Sequence, residues 1–356
     1  MKSVRAVAGL LTSLLLLPAC SLIGEGDDEP TATDRPSGAG EVGGRVVLVT
    51  HESFALPKKL LRGFEQESGI DLEVRPAGDA GALTTKLVLT ADNPTGDVAF
   101  GIDNTFASRA LDEGVFAEYR SPEADKGPQR YAVDGSGRLT AVDVGDVCVN
   151  VDPAALGGEV PKTFEDLADP KYKDKFVVED PATSSPGLAF LLGTVAHYGE
   201  QGWADYWGRL KANGVKVVSG WEEAYTQEFS GSSGKGPRPI VVSYASSPSA
   251  EVGEDGKART AALLDTCFRQ VEYAGMLNGA KNPEDAKKVL DFLLSEPFQK
   301  TVPEKMYVYP AREGVALPDT WTAAAPLPEQ PATLPAADIA AQRQRWIEQW
   351  RSTVGG

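Results

Sequence analysis

At 356 residues the chain is longer than one hydrophobic core usually serves, which points to two domains. Its makeup, 42% hydrophobic and 24% charged, is that of a soluble globular protein. A formal net charge of −16, from 51 acidic against 35 basic side chains, argues against nucleic acid or anionic lipid as a partner of the body and mildly favours a cationic ligand.

The amino terminus stands apart. Lys2 and Arg5 precede an apolar run, Leu10 to Leu17, that ends in Leu17-Pro18-Ala19-Cys20. A basic start, a short apolar core and small residues before a cut describe a secretory signal over residues 1–19, too short to span a bilayer. Leu-Pro-Ala-Cys resembles a bacterial lipobox. That resemblance implies that Cys20 becomes a lipid-modified first residue and tethers the mature chain to the outer face of the cell membrane. A plain signal with an incidental cysteine is the other reading. Residues 20–44, rich in Gly, Asp, Glu, Pro, Ser and Thr, read as a disordered stalk. Cys148 and Cys267 remain beyond Cys20. In an oxidising exterior an even pair suggests one disulfide, with two buried thiols as the alternative.

Arg45 to Thr50 is a continuous apolar run, as in a strand buried on both faces. Pro57 to Glu67 has helical spacing and stops at Gly69. Ile70 to Val74 alternates as a strand, Leu83 to Leu89 is helical, Asp97 to Phe100 is a strand, and Phe106 to Leu111 is a helix ended by Gly114. This alternation calls for an α/β fold with a parallel sheet, in which ligands bind beyond the carboxyl ends of the strands. Those ends are Thr50-His51-Glu52-Ser53, Gly78 to Gly81, and Gly101-Ile102-Asp103-Asn104.

Thr140 to Val151 reads as one strand, and a second α/β set follows. It holds helix Thr163 to Leu167, strand Phe176 to Val178, a helix from Leu188 to Tyr198 closed by Gly199, and helix Trp203 to Leu210. Strand Val215 to Ser219, helix Glu222 to Phe229 and strand Ile240 to Tyr244 complete it. Ser185 fits an N-cap and Pro186 the first helical position, so Thr183, Ser184 and Ser185 flank a helix start able to seat an anion. An ordinary capped helix is the alternative. Phe268 to Tyr273 is a further strand, Pro283 to Leu294 a helix, and Met306 to Pro310 an extended segment. Leu317 to Pro335 is irregular and proline-rich, and Ala336 to Trp350 is a closing amphipathic helix.

In the second set the strand ends again carry the informative residues. One empties into Gly220-Trp221, another into Tyr244-Ala245-Ser246-Ser247. Aromatic faces beside hydroxyls and a helix start suit a flat, cationic aromatic ligand that carries a phosphate, although each aromatic taken alone also suits a core.

Taken together, the sequence resembles the periplasmic thiamine-binding proteins that serve ABC importers. The motifs are Glu52-Ser53-Phe54, Gly101-Ile102-Asp103-Asn104, Asp180-Pro181 with Thr183-Ser184 and Pro186-Gly187, and Gly220-Trp221 with Glu223-Ala224-Tyr225. Ser243-Tyr244, Ser247-Pro248, Tyr309-Pro310 and Ala341-Gln342-Arg343-Gln344 with Trp346 and Trp350 complete the set.

The resemblance implies a two-lobed periplasmic-binding-protein fold of type II. Lobe 1 is expected from residues 45–144 and 268–316, lobe 2 from 145–267, and residues 317–356 form the proline-rich segment and closing helix. Val142 to Asn150 would cross out and Phe268 to Tyr273 back, with a Cys148–Cys267 disulfide at the hinge. By resemblance, Ser184 and Ser185 lie at the phosphate or hydroxyethyl end, Trp221 packs against the ligand rings, and Tyr244, Ala245, Ser246 and Ser247 line the same side. Ala80 and Gly81 contact the ligand from lobe 1, while His51, Asp103 and Tyr307 complete the site. His51 and Tyr307 depart from the family, which often has an aromatic residue at the first position and a tryptophan at the second. The implied role is extracytoplasmic capture of thiamine, or its phosphates, by a lipid-anchored monomer that delivers it to an importer permease, without cofactor or metal. A ferric-iron carrier of the same fold, using Tyr244, Tyr307, Tyr309 and His51, is the rival, together with a carrier of another small organic solute. An enzyme is not expected: Gly-x-Ser-x-Gly is absent, and His51-Glu52 does not extend to His-Glu-x-x-His.

Overall fold

The computed structural model describes residues 43–355. The expected signal, Cys20 and the stalk up to residue 42 lie outside the described residues. The first lobe opens with strand β1 (Arg45–Thr50), helix α1 (Lys58–Ser68), β2 (Asp71–Pro76), α2 (Ala80–Leu89), β3 (Val98–Asp103) and α3 (Ala107–Asp112). β1 pairs in parallel with both β2 and β3, as continuous apolar strands joined by helices must. The chain then runs up β4 (Thr140–Val144) and leaves for a second sheet at β5 (Val147–Val151).

That second lobe adds α4 (Phe164–Leu167), β6 (Phe176–Glu179), the long α5 (Ser185–Ala212), β7 (Lys216–Val218), the single turn α6 (Trp221–Glu223), β8 (Ile240–Tyr244) and β9 (Ala261–Phe268). The return strand β10 (Val271–Met276) lies antiparallel between β3 and β4. After it come α7 (Pro283–Leu294), α8 (Glu296–Gln299), α9 (Val302–Met306), the two-residue β11 (Tyr309–Pro310), α10 (Asp319–Ala324) and α11 (Ala336–Val354). The first sheet is ordered β11-β4-β10-β3-β1-β2 and the second β7-β6-β8-β5-β9. Cys148 on β5 and Cys267 on β9, paired neighbours, form a disulfide.

Several local expectations are corrected. The run Thr140 to Val151 is two strands, not one. It breaks at Gly145 and Asp146, where the backbone leaves the first sheet and the Asp146 carboxylate pairs with Arg269. Phe268 to Tyr273 divides likewise at Arg269-Gln270. Ser184, not Ser185, caps α5: its backbone is extended and its hydroxyl accepts from the Gly187 N–H at 3.4 Å. The expected breaker Gly199 does interrupt α5, with φ of +69°. Glu222 to Phe229 is not an α-helix; after one turn the backbone widens into a π-turn, Ala224–Glu228. Met306 ends a helix instead of opening an extended segment, and the region 317–335 holds α10, whose Trp321 is buried edge-on against Tyr309.

α11 straddles the two lobes. Trp350 meets Trp207 of α5 edge-on at 5.5 Å, and the Arg343 guanidinium lies 5.5 Å over Phe106 at the start of α3. Among the described residues no helix is long and apolar enough to cross a membrane.

Candidate ligand cleft

Between the lobes, residues from the ends of β1, β8 and β10 and from the starts of α2 and α6 enclose a cavity. Its lining comprises His51, Glu52, Ser53, Asp79, Trp221, Tyr244, Ser247, Glu272, Met306, Tyr307 and Val308. Three carboxylates and one imidazole are among these, and no lysine or arginine. The inner space is about 50 Å³ and shares Ser53, Trp221, Ser247, Met306 and Tyr307 with an outer chamber of about 380 Å³.

The aromatic wall is fixed from behind. Trp221 stacks on Tyr225 with ring centroids 5.0 Å apart and planes 13° apart, a geometry the π-turn provides. Its indole N–H donates to Ser243 Oγ at 2.9 Å, and Ser243 shares a 2.7 Å hydrogen bond with Ser247. Tyr244 sits 6.2 Å from Trp221. A Cβ at Gly145 would come within 2.7 Å of the Tyr244 ring, so the crossover glycine is what admits this tyrosine. Gly101, at φ +97°, does the same for His51, whose imidazole would lie 2.1 Å from an added Cβ. At the mouth, Tyr307 holds a left-handed backbone (φ 55°, ψ 37°), uncommon for a bulky residue, and its carbonyl accepts from Ser246 Oγ at 2.5 Å.

The floor is acidic. Glu272 on β10 lies directly opposite Asp143 on β4 and Asp103 on β3. Burial pushes the Asp143 carboxyl well above the usual carboxylate range, and the neighbouring Glu272 charge adds to the push. Burial likewise raises Asp103 to about 6, against the pull of the Ser185 and Thr105 hydroxyls. Burial opposes the charge of His51, yet Glu272 outweighs it and raises the imidazole above its ordinary value; the same partner holds Glu272 below the carboxylate range. Glu52 at the rim is raised by burial and by Asp79 and Glu222.

Asp79 joins the lobes. One carboxylate oxygen accepts from the N–H groups of Ala80 (2.6 Å) and Ser185 (3.1 Å), and the other from the Trp221 N–H (3.0 Å). The first N–H of α5, expected to seat a phosphate, thus meets the protein's own anion.

His51, Trp221, Tyr244, Ser247 and Tyr307 face the cavity together. Other expected residues pack in the seam beside it. The Ser184 hydroxyl caps α5, the Ser185 hydroxyl donates to Asp103 and accepts from Gln270, and Ser246 holds Tyr307. Ala80 and Gly81 are buried, with the Gly81 N–H donating to the Thr183 carbonyl at 3.0 Å, and Ala245 packs on the disulfide. Sequence reasoning missed Asp79, Asp143, Gln270 and Glu272. Its one usable signal was a charge at position 272 inside an otherwise buried strand.

The profile of bacterial extracellular solute-binding proteins matches residues 93–335. A thiamine-binding periplasmic protein of Salmonella typhimurium is 31% identical over 319 residues, covering 87% of this chain and 93% of that protein. The solved structure of a periplasmic thiamin binding protein superposes with a TM-score of 0.77 at 29% identity, covering 87% of this chain and 96% of that one. Iron-bound HitA of Pseudomonas aeruginosa superposes at 0.67 with 19% identity, covering 87% and 99%, a likeness of fold alone.

Proposed function

The chain belongs to the bacterial extracellular solute-binding proteins, and from that premise we propose that it captures thiamine outside the cytoplasm and delivers it to an ABC importer. The observation that carries this reading is the cavity's composition. An indole and a phenol stand over a lining with three carboxylates, one imidazole and no lysine or arginine. Such a site attracts a flat aromatic cation, and the thiazolium ring of thiamine is one. The lobes hold each other through Asp79, through Ser53 donating to Glu222 at 3.1 Å, and through Gly81 and Ala82 donating to Thr183. Ligand entry breaks these contacts together with the Ser185–Asp103 and Ser246–Tyr307 hydrogen bonds, and ligand burial restores them. A phosphate ester could use the start of α5 only by displacing the Asp79 carboxylate.

The role is capture and release by a monomer, with no cofactor. Through the expected lipid on Cys20 the body stays at the membrane, within reach of the permease. Iron carriage is the less favoured reading, since one of the tyrosines it would use, Tyr309, is not among the residues lining the cavity: its ring packs edge-on against Trp321 and its hydroxyl donates to the Ala325 carbonyl. Titration of the purified protein with thiamine and, separately, with ferric citrate tests the choice. Thiamine is expected to quench tryptophan fluorescence saturably while ferric citrate leaves the protein colourless. A phenolate–iron colour, with no response to thiamine, would reverse it.

A further inference from the structure

Asp143, Glu272 and Asp103 stand side by side on three adjacent antiparallel strands, so their side chains share one face. Like charges directly opposite one another weaken a sheet, and a fold that keeps three of them is retaining them against stability. Of the three, Glu272 lines the cavity. One of its oxygens accepts from Gln270 Nε2 at 3.3 Å, and the other faces His51 Nε2 at 3.6 Å, longer than a hydrogen bond. His51 Nε2 and Gln270 Oε1 are buried without a hydrogen-bond partner in the protein. Buried polar atoms in this condition are few in native proteins, and these two flank one carboxylate at the end of a cavity.

The inner space, about 50 Å³, is too small for a two-ring ligand, whereas the outer chamber beyond Trp221 and Tyr307 is roomier. A two-ring ligand therefore sends one ring edge to the floor and leaves the rest outside. Resting on the thiamine reading, the choice of ring follows from hydrogen-bond chemistry. The thiazolium offers charge but no N–H. The aminopyrimidine offers an amino donor beside a ring-nitrogen acceptor, which matches a carboxylate beside an imidazole N–H.

We propose that Glu272, with His51 beside it, reads the aminopyrimidine edge of thiamine at the floor of the cleft. Glu272 accepts from the exocyclic amino group and His51 donates to the adjacent ring nitrogen. The thiazolium and its hydroxyethyl arm then lie outward, against Trp221 and Tyr307. Burial and the Glu272 charge push the Asp143 carboxyl above its usual range, and of the three acidic groups Glu272 is the one that lines the cavity and faces the amino group.

Oxythiamine tests this, because a ring carbonyl and an N–H replace the amino group and its neighbouring acceptor. Calorimetry of the intact protein with each compound is expected to show thiamine bound about tenfold to a hundredfold more tightly, the worth of a hydrogen bond to a charged group. In Glu272→Gln, whose amide can serve either ligand, the ratio is expected to collapse to within about threefold of unity, since neutral hydrogen bonds discriminate weakly. The variant's melting temperature shows that it is folded. If it does not fold, His51→Ala takes its place, with the same expected fall in the ratio. Equal affinity of the unaltered protein for both compounds overturns the proposal, as does a folded variant that keeps the original ratio. Failure of the unaltered protein to bind either compound overturns the thiamine assignment itself, and this inference with it.

Discussion

Two aromatic groups in the second lobe use the same residue types for opposite purposes. Behind the sheet, Trp203, Tyr206 and Trp207 on α5 are fully buried, with Trp207 Nε1 donating to Thr194 at 3.0 Å and Tyr206 donating to the Phe164 carbonyl at 2.9 Å. On the cleft side, Trp221 is only partly buried. It packs on one face against Tyr225 and presents the other to the cavity. The first group closes all its surfaces inside the protein, and Tyr206 and Trp207 close their hydrogen bonds there as well. The second closes its hydrogen bonds but leaves a ring face open, which is the mark of a surface built for something else.

The sharpest break of this comparison is Trp207→Ala. Removing a fully buried indole that also supports Trp350 should cost about 3–5 kcal/mol of stability, read as a lower denaturation midpoint, whether or not thiamine binds. Next in size, opening the disulfide by a Cys148→Ala, Cys267→Ala double variant should cost about 2–4 kcal/mol, because it releases a loop of 119 residues in the unfolded chain. An unchanged midpoint would place the disulfide outside the stabilising scaffold. Trp221→Ala should behave in the opposite way, losing about 1–3 kcal/mol of thiamine binding with a much smaller loss of stability. A variant that binds normally and melts early would move Trp221 into the first group.

The smallest expected effect is on pH. Burial holds Asp103 and Asp146 at about 6, above the roughly 3.9 of an unfolded aspartate. The native state therefore keeps protons that the unfolded chain has released, and stability falls as pH rises from about 4 through 6. Asp143 and Glu179 are raised in the same sense and extend the fall to higher pH. The raised His51 contributes stability below its unfolded value of about 6.5 that is lost as pH climbs through its folded value. Glu165, held down to about 2 chiefly by Arg209, acts oppositely, losing its contribution only as pH drops below about 4.5. The ligand-free protein should thus melt higher near pH 5 than at pH 8. A higher melting temperature at pH 8 would contradict these assignments.

Much of the scaffold was legible because local signals agreed with the fold. Pro283 opens α7 and its apolar stripe packs onto β10, β1 and β3, while β1 and β8 have the bounds their patterns suggest. The break at Gly145-Asp146 was not legible, since strands on both sides are equally buried and only the change of sheet separates them. The short helices α8 to α10 depend on tertiary packing rather than on periodicity. In the cleft, Trp221 and Tyr244 could be picked out because large aromatics beyond strand ends are unusual. Asp79 could not, because its partners Ser185 and Trp221 are distant in sequence; Glu272 offered only its charge inside a buried strand, and its neighbours Asp143 and Asp103 come from distant strands.

The central claim is that the open face of Trp221 and the acidic floor together hold thiamine, and a crystal structure of the protein grown with thiamine tests it most directly. The account predicts the vitamin between the lobes, its thiazolium ring against Trp221 and its aminopyrimidine amino group within hydrogen-bond distance of Glu272. Thiamine bound elsewhere on the protein, or an unliganded cleft at saturating thiamine, would contradict it.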